Sequence, residues 1–147
     1  MDEEEKIISE NELERDGEIT LHGGEPFSGA CVDYYESGQV ESEVHYKDGK
    51  GDGLCENWYE NGMKESEGYF KDGKPDGPWT YWHENGKKSE IHFKEGKPDG
   101  LCIHWYAGGD KSGEGYYKDG KEDGLWTEWS EDGEKTYEGP FKNGNEQ

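Results

Sequence analysis

Five glycines at near-constant spacing, Gly29, Gly53, Gly77, Gly100 and Gly124, restrict this chain to an architecture built from one small unit used repeatedly. Successive gaps are 24, 24, 23 and 24 residues. A second glycine follows nine residues after each opening one, at Gly38, Gly62, Gly86, Gly109 and Gly133. A third closes each copy, at Gly49, Gly73, Gly96, Gly120 and Gly144. The third copy is one residue short between Gly86 and Ser89, which predicts a bulge or register adjustment in its second strand.

Each unit reads as two short strands and two turns. The first turn, as in Glu60-Asn61-Gly62 or Glu131-Asp132-Gly133, favours type I′, because Asn-Gly and Asp-Gly tolerate positive φ and match strand twist. The second is a Lys-Asp-Gly-Lys-x-Asp-Gly run, as from Lys71 to Gly77, and its Pro75 and Pro98 suit a loop. Hairpins linked this tightly make a meander. The expected fold is all-β, an extended single-layer antiparallel β-meander of tandem hairpin repeats of about 24 residues. The copies run 29–52, 53–76, 77–99, 100–123 and 124–147, one domain overall. Residues 12–28 read as an N-terminal capping half-repeat and 1–11 as an acidic, flexible tail.

Certain side chains recur in every copy. One aromatic lies five residues after the opening glycine (Tyr34, Trp58, Trp82, Trp105, Trp129). Another precedes the closing turn (Tyr46, Phe70, Phe93, Tyr117, Phe141). Together the two rows are expected to form a continuous ladder serving as the core, since equivalent positions in successive hairpins lie about 10 Å apart on one face. A glutamate sits three residues before the second aromatic (Glu43, Glu67, Glu90, Glu114, Glu138). That row would repel itself if bare, so each Glu is expected to find a lysine or a backbone N–H.

Composition bears on partners. Only 27% of residues are hydrophobic and 36% charged, a balance seen in disordered chains, but 6 Trp, 10 Tyr and 4 Phe bury too much apolar area for disorder. The net charge of -21 repels phosphate backbones and anionic headgroups. It therefore speaks against nucleic acid and membrane surfaces and for a basic protein partner. No apolar signal region or membrane-length stretch is visible, so a cytoplasmic location is the expectation.

The unit G-x-W-x-x-W/Y-x-x-N-G-K, followed by a Glu, an aromatic and K-D-G-K-x-D-G, resembles the MORN-repeat variant of bacterial proteins, many of them labelled YwqK-family antitoxins of toxin–antitoxin systems. The lead-in Glu14-Arg15-Asp16-Gly17 with Pro26-Phe27-Ser28-Gly29 is similar to the start of many such chains, and the likeness runs over about residues 12–144. Cys31, Cys55 and Cys102 depart from it where the variant often has Trp. The resemblance implies an extended antiparallel sheet used for protein contacts; lipid contact and dimer formation are also linked to such repeats.

Candidate chemical sites are few. The three cysteines fill the slot held by Trp79 and Trp126 in the other copies, which makes it a packing slot, and buried free thiols are expected. Cys31 and Cys55 would lie about 10 Å apart, too far for a disulfide. Asp48 to Gly53 has the opening rhythm of a calcium loop, but Lys50 takes a ligand position and Tyr59 stands where a bidentate Glu belongs. The histidines, His22, His45, His83, His92 and His104, form no pair at ligand spacing. With no nucleophile elbow, no phosphate-cradling loop and no helix, neither metal, cofactor nor catalysis is expected.

Binding is the reading with a mechanism. Beside the constant aromatic, the first strand carries a row that varies between copies, and variation in a uniform array is where specificity can be written. The expected binding patch is Trp79, Tyr81, His83, His104 and Tyr106; the alternative is that these residues cover the second sheet face. The expected function is a non-enzymatic protein-binding module, an antitoxin- or immunity-like protein that masks a basic partner. Its alternative is a structural scaffold that self-associates as a homodimer, with lipid-headgroup binding third.

Overall fold

The computed structural model describes residues 5–147. It divides into two units, the first ending at Lys74 and the second running from Pro75 to Gln147. Both are built almost wholly of strands, as the repeat requires.

In the first unit the strands are β1 (Ile7–Ile8), β2 (Glu14–Asp16), β3 (Ile19–His22), β4 (Glu25–Pro26), β5 (Gly29–Tyr34), β6 (Val40–Lys47), β7 (Lys50–Trp58) and β8 (Lys64–Lys71). Strands β5 to β8 pair consecutively and antiparallel. The pair β9 (Lys74–Pro75) straddles the division. In the second unit β10 (Gly77–His83), β11 (Gly86–Lys94), β12 (Lys97–Trp105), β13 (Lys111–Lys118), β14 (Lys121–Glu122), β15 (Gly124–Trp129), β16 (Lys135–Lys142) and β17 (Asn145–Glu146) follow. The order is β10-β11-β12-β13-β15-β16-β17, with β14 beside β13, antiparallel throughout.

The two turns of each copy divide their work differently from the sequence expectation. Both central residues have positive φ, as type I′ demands, in the closing turns: Asp48-Gly49 (50° and 83°), Asp72-Gly73 (50° and 81°), Glu95-Gly96 (50° and 85°), Asp119-Gly120 (49° and 84°) and Asn143-Gly144 (52° and 82°). At Asn61-Gly62 only the glycine is left-handed, at 87°. There Gly62 N donates to Tyr59 O at 2.9 Å and Tyr59 N to Met63 O at 2.8 Å, a type I turn closed by a glycine bulge. The short third copy loses its residue from this turn: His83 pairs with Gly86 across Glu84-Asn85, and the strands keep the register of the other copies.

That register includes one bulge per hairpin, and the bulge explains the glutamate row. In every copy the second strand skips a residue opposite the constant aromatic: Asn57 faces Ser66, whereas Trp58 faces Lys64. On a regular strand residues three apart point to opposite faces; the extra residue returns them to the same one. Lys64, Lys87, Lys111 and Lys135 thereby reach Glu67, Glu90, Glu114 and Glu138. Glu43 meets His45 Nε2 at 3.5 Å instead, because Val40 occupies the lysine position.

Register also corrects the expected core. The constant first aromatic lies three residues beyond the Cys/Trp slot and so faces the opposite way; its face carries the Glu–Lys ladder. The aromatic before the closing turn shares the other face with Cys31, Cys55, Trp79, Cys102 and Trp126, all buried. Size compensates across this packed face. In the second unit Trp79 and Cys102 flank Ile91, while Trp126 lies against Gly115 and faces Gly139. Trp126 packs edge-on to Tyr117 and Phe141, with ring centroids 5.3 and 6.3 Å away.

The half-repeat caps the first copy as a small sheet of its own, β2-β3-β4. Its turn Gly23-Gly24 repeats the closing-turn geometry (59° and 81°). Buried Phe27 packs on Tyr46 with centroids 5.7 Å apart. Closing turns then hook together. Gly49 N donates to Phe27 O and Gly73 N to Gly51 O in the first unit, and Gly96 N to Pro75 O, Gly120 N to Pro98 O and Gly144 N to Glu122 O in the second, all at 2.7–2.9 Å.

The tail expectation for 1–11 fails over its described part; residues 1–4 lie outside the described residues. Ile7–Ile8 pairs parallel with Ala30–Cys31, covering the outer edge of β5. Residues Glu10–Glu12 make a 3-10 turn. Asp33 anchors it by accepting from Ser9 Oγ at 2.8 Å and Glu10 N at 3.0 Å. An open edge offers unpaired backbone groups that even two apolar residues can satisfy.

Candidate functional site

Each unit has two chemically distinct faces. The packed face holds the sequence-chosen patch. Trp79 is buried and stacks on Tyr81, centroids 6.3 Å apart and planes at 28°. Ser89 Oγ lies 2.7 Å from His104 Nδ1, and Cys102 Sγ 3.2 Å from its Nε2. His83 Nε2 reaches Trp105 O at 3.4 Å, and Tyr106 OH donates to Trp129 O at 2.7 Å. Tyr35 OH does the same to Trp58 O at 2.6 Å in the first unit. All five patch residues thus lie in the second unit, and His83 and Tyr106 each tie their copy to the next.

The cysteines share a local logic. Each is followed two residues later by a polar group in contact with its sulfur: Asp33 with Cys31, Asn57 with Cys55, His104 with Cys102. All three thiols are free and buried. Burial, with Asp33 adding to it, pushes the Cys31 thiol up to about 12; burial alone takes Cys102 up to about 11 and holds His104 below its ordinary value. A nucleophilic cysteine needs the reverse shift, so the Cys102–His104 contact is a neutral hydrogen bond inside the sheet. Among the described residues no three His, Cys, Asp or Glu side chains gather as metal ligands would.

The ladder face was missed as a surface by sequence reasoning, which assigned its aromatics to the core. In the first unit it carries Tyr34 and Tyr69 with Glu43, Glu56 and Glu67. In the second it carries Tyr116 and Leu125 in one row, then Glu90, Glu114 and Glu138, then Trp82, Trp105 and Trp129 alternating with Lys87, Lys111 and Lys135. Tyr34, Tyr69, Tyr116 and Leu125 are 59%, 50%, 53% and 53% exposed. Lys87 Nζ lies 5.6 Å from the Trp105 ring centroid, a cation–π contact. The signal was in the sequence: Trp79 and Trp82 are an odd number apart, so one strand cannot put both on one face.

Among the described residues no helix is long and apolar enough to cross a membrane. No curated protein matches the chain. The crystal structure of accessory secretory protein 1, 2 and 3 in Streptococcus pneumoniae is similar with a TM-score of 0.37 and 15% identity, over 84% of this chain and 22% of that one. The chain therefore spans about a fifth of that solved chain, and at this score the likeness adds nothing to the fold. The MORN repeat variant matches residues 28–48, 51–72, 75–95 and 122–143, more than half of the chain. These stretches take in the first, second, third and fifth hairpins; the fourth keeps the same bulge and the same glycine turn, with Gly109 N donating to Tyr106 O, although Ala107-Gly108 replaces the Glu-Asn pair. With its hairpins in the register the repeat demands, this chain belongs to the MORN repeat variant family.

Proposed function

We propose that the chain is a non-enzymatic, cytoplasmic protein-binding module that masks a basic partner, in the manner of an antitoxin or immunity protein. One observation carries the reading: in each unit the exposed tyrosines share a face with the glutamate row. Half-exposed aromatics give contact area at low entropic cost, and in the first unit, where Glu56 and Glu67 share Lys64 and Glu43 has no lysine among the described residues, the carboxylates around them select a cationic surface. The net charge of -21 adds long-range attraction. The packed-face patch of Trp79, Tyr81, His83, His104 and Tyr106 supports the ladder face from behind by holding successive copies in line.

The test is capture of partners on the immobilised chain at low and high salt. A basic protein retained at about 50 mM salt and released at about 500 mM is expected, because a Debye length of about 4 Å at the higher salt screens rim charges. Retention indifferent to salt, or no basic protein at either concentration, would count against the reading. Self-association through Tyr116 and Leu125 is the second reading, favoured by the exposure of both side chains in one row. Light scattering separates the two, since a mass independent of concentration removes the homodimer.

A further inference from the structure

The Glu–Lys ladder is complete in the second unit and short of cations in the first. Glu90, Glu114 and Glu138 each have their own lysine. In the first unit Glu56 and Glu67 share Lys64, 2.8 Å from each. Glu43, which faces Glu56 directly across β6 and β7, has among the described residues only the His45 imidazole as an ion-pair partner. Like charges facing one another on neighbouring strands repel. The cause is one substitution within the array: Val40 stands opposite Tyr34 where Lys64 stands opposite Trp58 and Lys87 opposite Trp82.

A groove of about 470 Å³ opens at this place, lined by Ile7, Val32, Tyr34, Val40, Glu43 and Trp58 among others. Its walls are mostly aromatic and aliphatic, with the Gln39 amide and the Glu43 carboxylate as the polar side chains. The third copy shows what such a setting accepts. There Lys87 lies over the Trp105 ring and pairs with Glu90, the residues equivalent to Trp58 and Glu43.

We propose that this groove receives a lysine side chain of the basic partner, its ammonium between the Trp58 ring and the Glu43 carboxylate and its methylenes against Val32 and Val40. The partner's lysine takes the position that the chain's own lysine fills in later copies. The proposal rests on the protein-binding reading and adds where the partner docks and through which group. A lysine fits because its stem covers apolar wall while its charge reaches the carboxylate, and ring and carboxylate act on the ammonium together.

The test uses the full chain and a fluorescein-labelled octalysine peptide, read by fluorescence anisotropy at low salt. Val40→Lys supplies the missing cation, and Glu43→Gln removes the carboxylate. Each is expected to weaken binding about fivefold, the scale of one lost surface ion pair with its cation–π contact. Ala107→Lys, the same charge change in an exposed turn of the second unit, is expected to weaken it less than about twofold, as screened distant charges do. Equal losses for Val40→Lys and Ala107→Lys, or none for Val40→Lys, overturn the proposal. Thermal melts check folding, and should Val40→Lys fail to fold, Glu43→Gln decides alone. Salt-sensitive capture of a basic protein that is indifferent to both groove variants sinks the groove and leaves the binding function standing. Octalysine binding that follows the variants, with no basic protein captured, does the reverse.

Discussion

A methyl group added at Gly115 would sit 2.3 Å from Cδ2 and 2.4 Å from Cε2 of Trp126. Neither backbone nor ring can yield there without disturbing Tyr117 and Phe141, which pack on the same indole. Gly115→Ala is therefore expected to cost about 1–3 kcal/mol, measured by urea unfolding. Gly108→Ala, where an added methyl meets nothing within 4 Å, is expected to change stability by no more than about 0.5 kcal/mol. The buried thiols make a second residue-scale prediction. Unfolded cysteines ionise near 9.0, whereas folded Cys31 and Cys102 hold their protons to about 12 and about 11. Above pH 9 the native state thus binds more protons than the unfolded one, so the slope of stability against pH is negative. The contribution is fully present below 9 and is lost as the pH climbs through 11 to 12. Urea midpoints should fall between pH 8 and about pH 10.5, and fall less in a Cys31→Ala, Cys102→Ala double variant. An unchanged slope in that variant would assign the fall to other groups.

At the scale of the element, the closing turn sets conformation more tightly than the first turn does. Four of the five left-handed non-glycine positions hold Asp or Asn, whose short side chains tolerate that region; the third copy holds Glu95 at φ 50°. Glu95→Asn is expected to stabilise the chain by about 0.5–1 kcal/mol, seen as a higher urea midpoint with unchanged slope. The dipeptide Asn-Gly suggested a type I′ turn elsewhere because it serves two hairpin types, and only loop length distinguishes them. Glycine spacing made the hairpins legible, since every turn but Glu84-Asn85 of the third copy places its glycine in the left-handed region. The faces were legible in principle from parity, Trp79 against Trp82, but looking for one core merged two rows that the pleat separates. Ile7–Ile8 was illegible because two residues carry no period, and the bare edge of β5 decides their pairing.

For the whole molecule, the ends of the sheets matter more than their length. Strand β1 satisfies the β5 edge of the first unit, with Ala30 N donating to Lys6 O at 2.8 Å. At the far end of the second unit, β17 covers only the last residues of β16, and β16 itself carries Pro140, which has no N–H to offer another chain, between Lys135 and Lys142. Deleting residues 1–13 is expected to open the β5 edge and produce association that grows with concentration, measured by light scattering. A truncated chain that stays monomeric across the same range would show that the edge needs no cover. The ladder face was less legible than the fold, because exposure depends on which rows the packed face absorbs. Tyr116 and Tyr117 are adjacent and alike in sequence, yet one is half exposed and the other packs on Trp126.

The hooks between closing turns give the array its own arithmetic of growth. Each hook joins a closing turn to the chain just past the previous one, about one copy away. A duplication of one whole copy, wherever its endpoints fall, recreates every hook one step further along; a duplication of half a copy leaves a donor facing the wrong carbonyl. At the hooked end of the hairpins, length can therefore change only in whole copies without breaking the bonds within a unit. Small changes are tolerated only at the opposite end of the hairpin, where the third copy has lost its residue while Gly96 N still reaches Pro75 O at 2.9 Å. Such a chain can diversify by copying, with one margin held in step and the other open to revision.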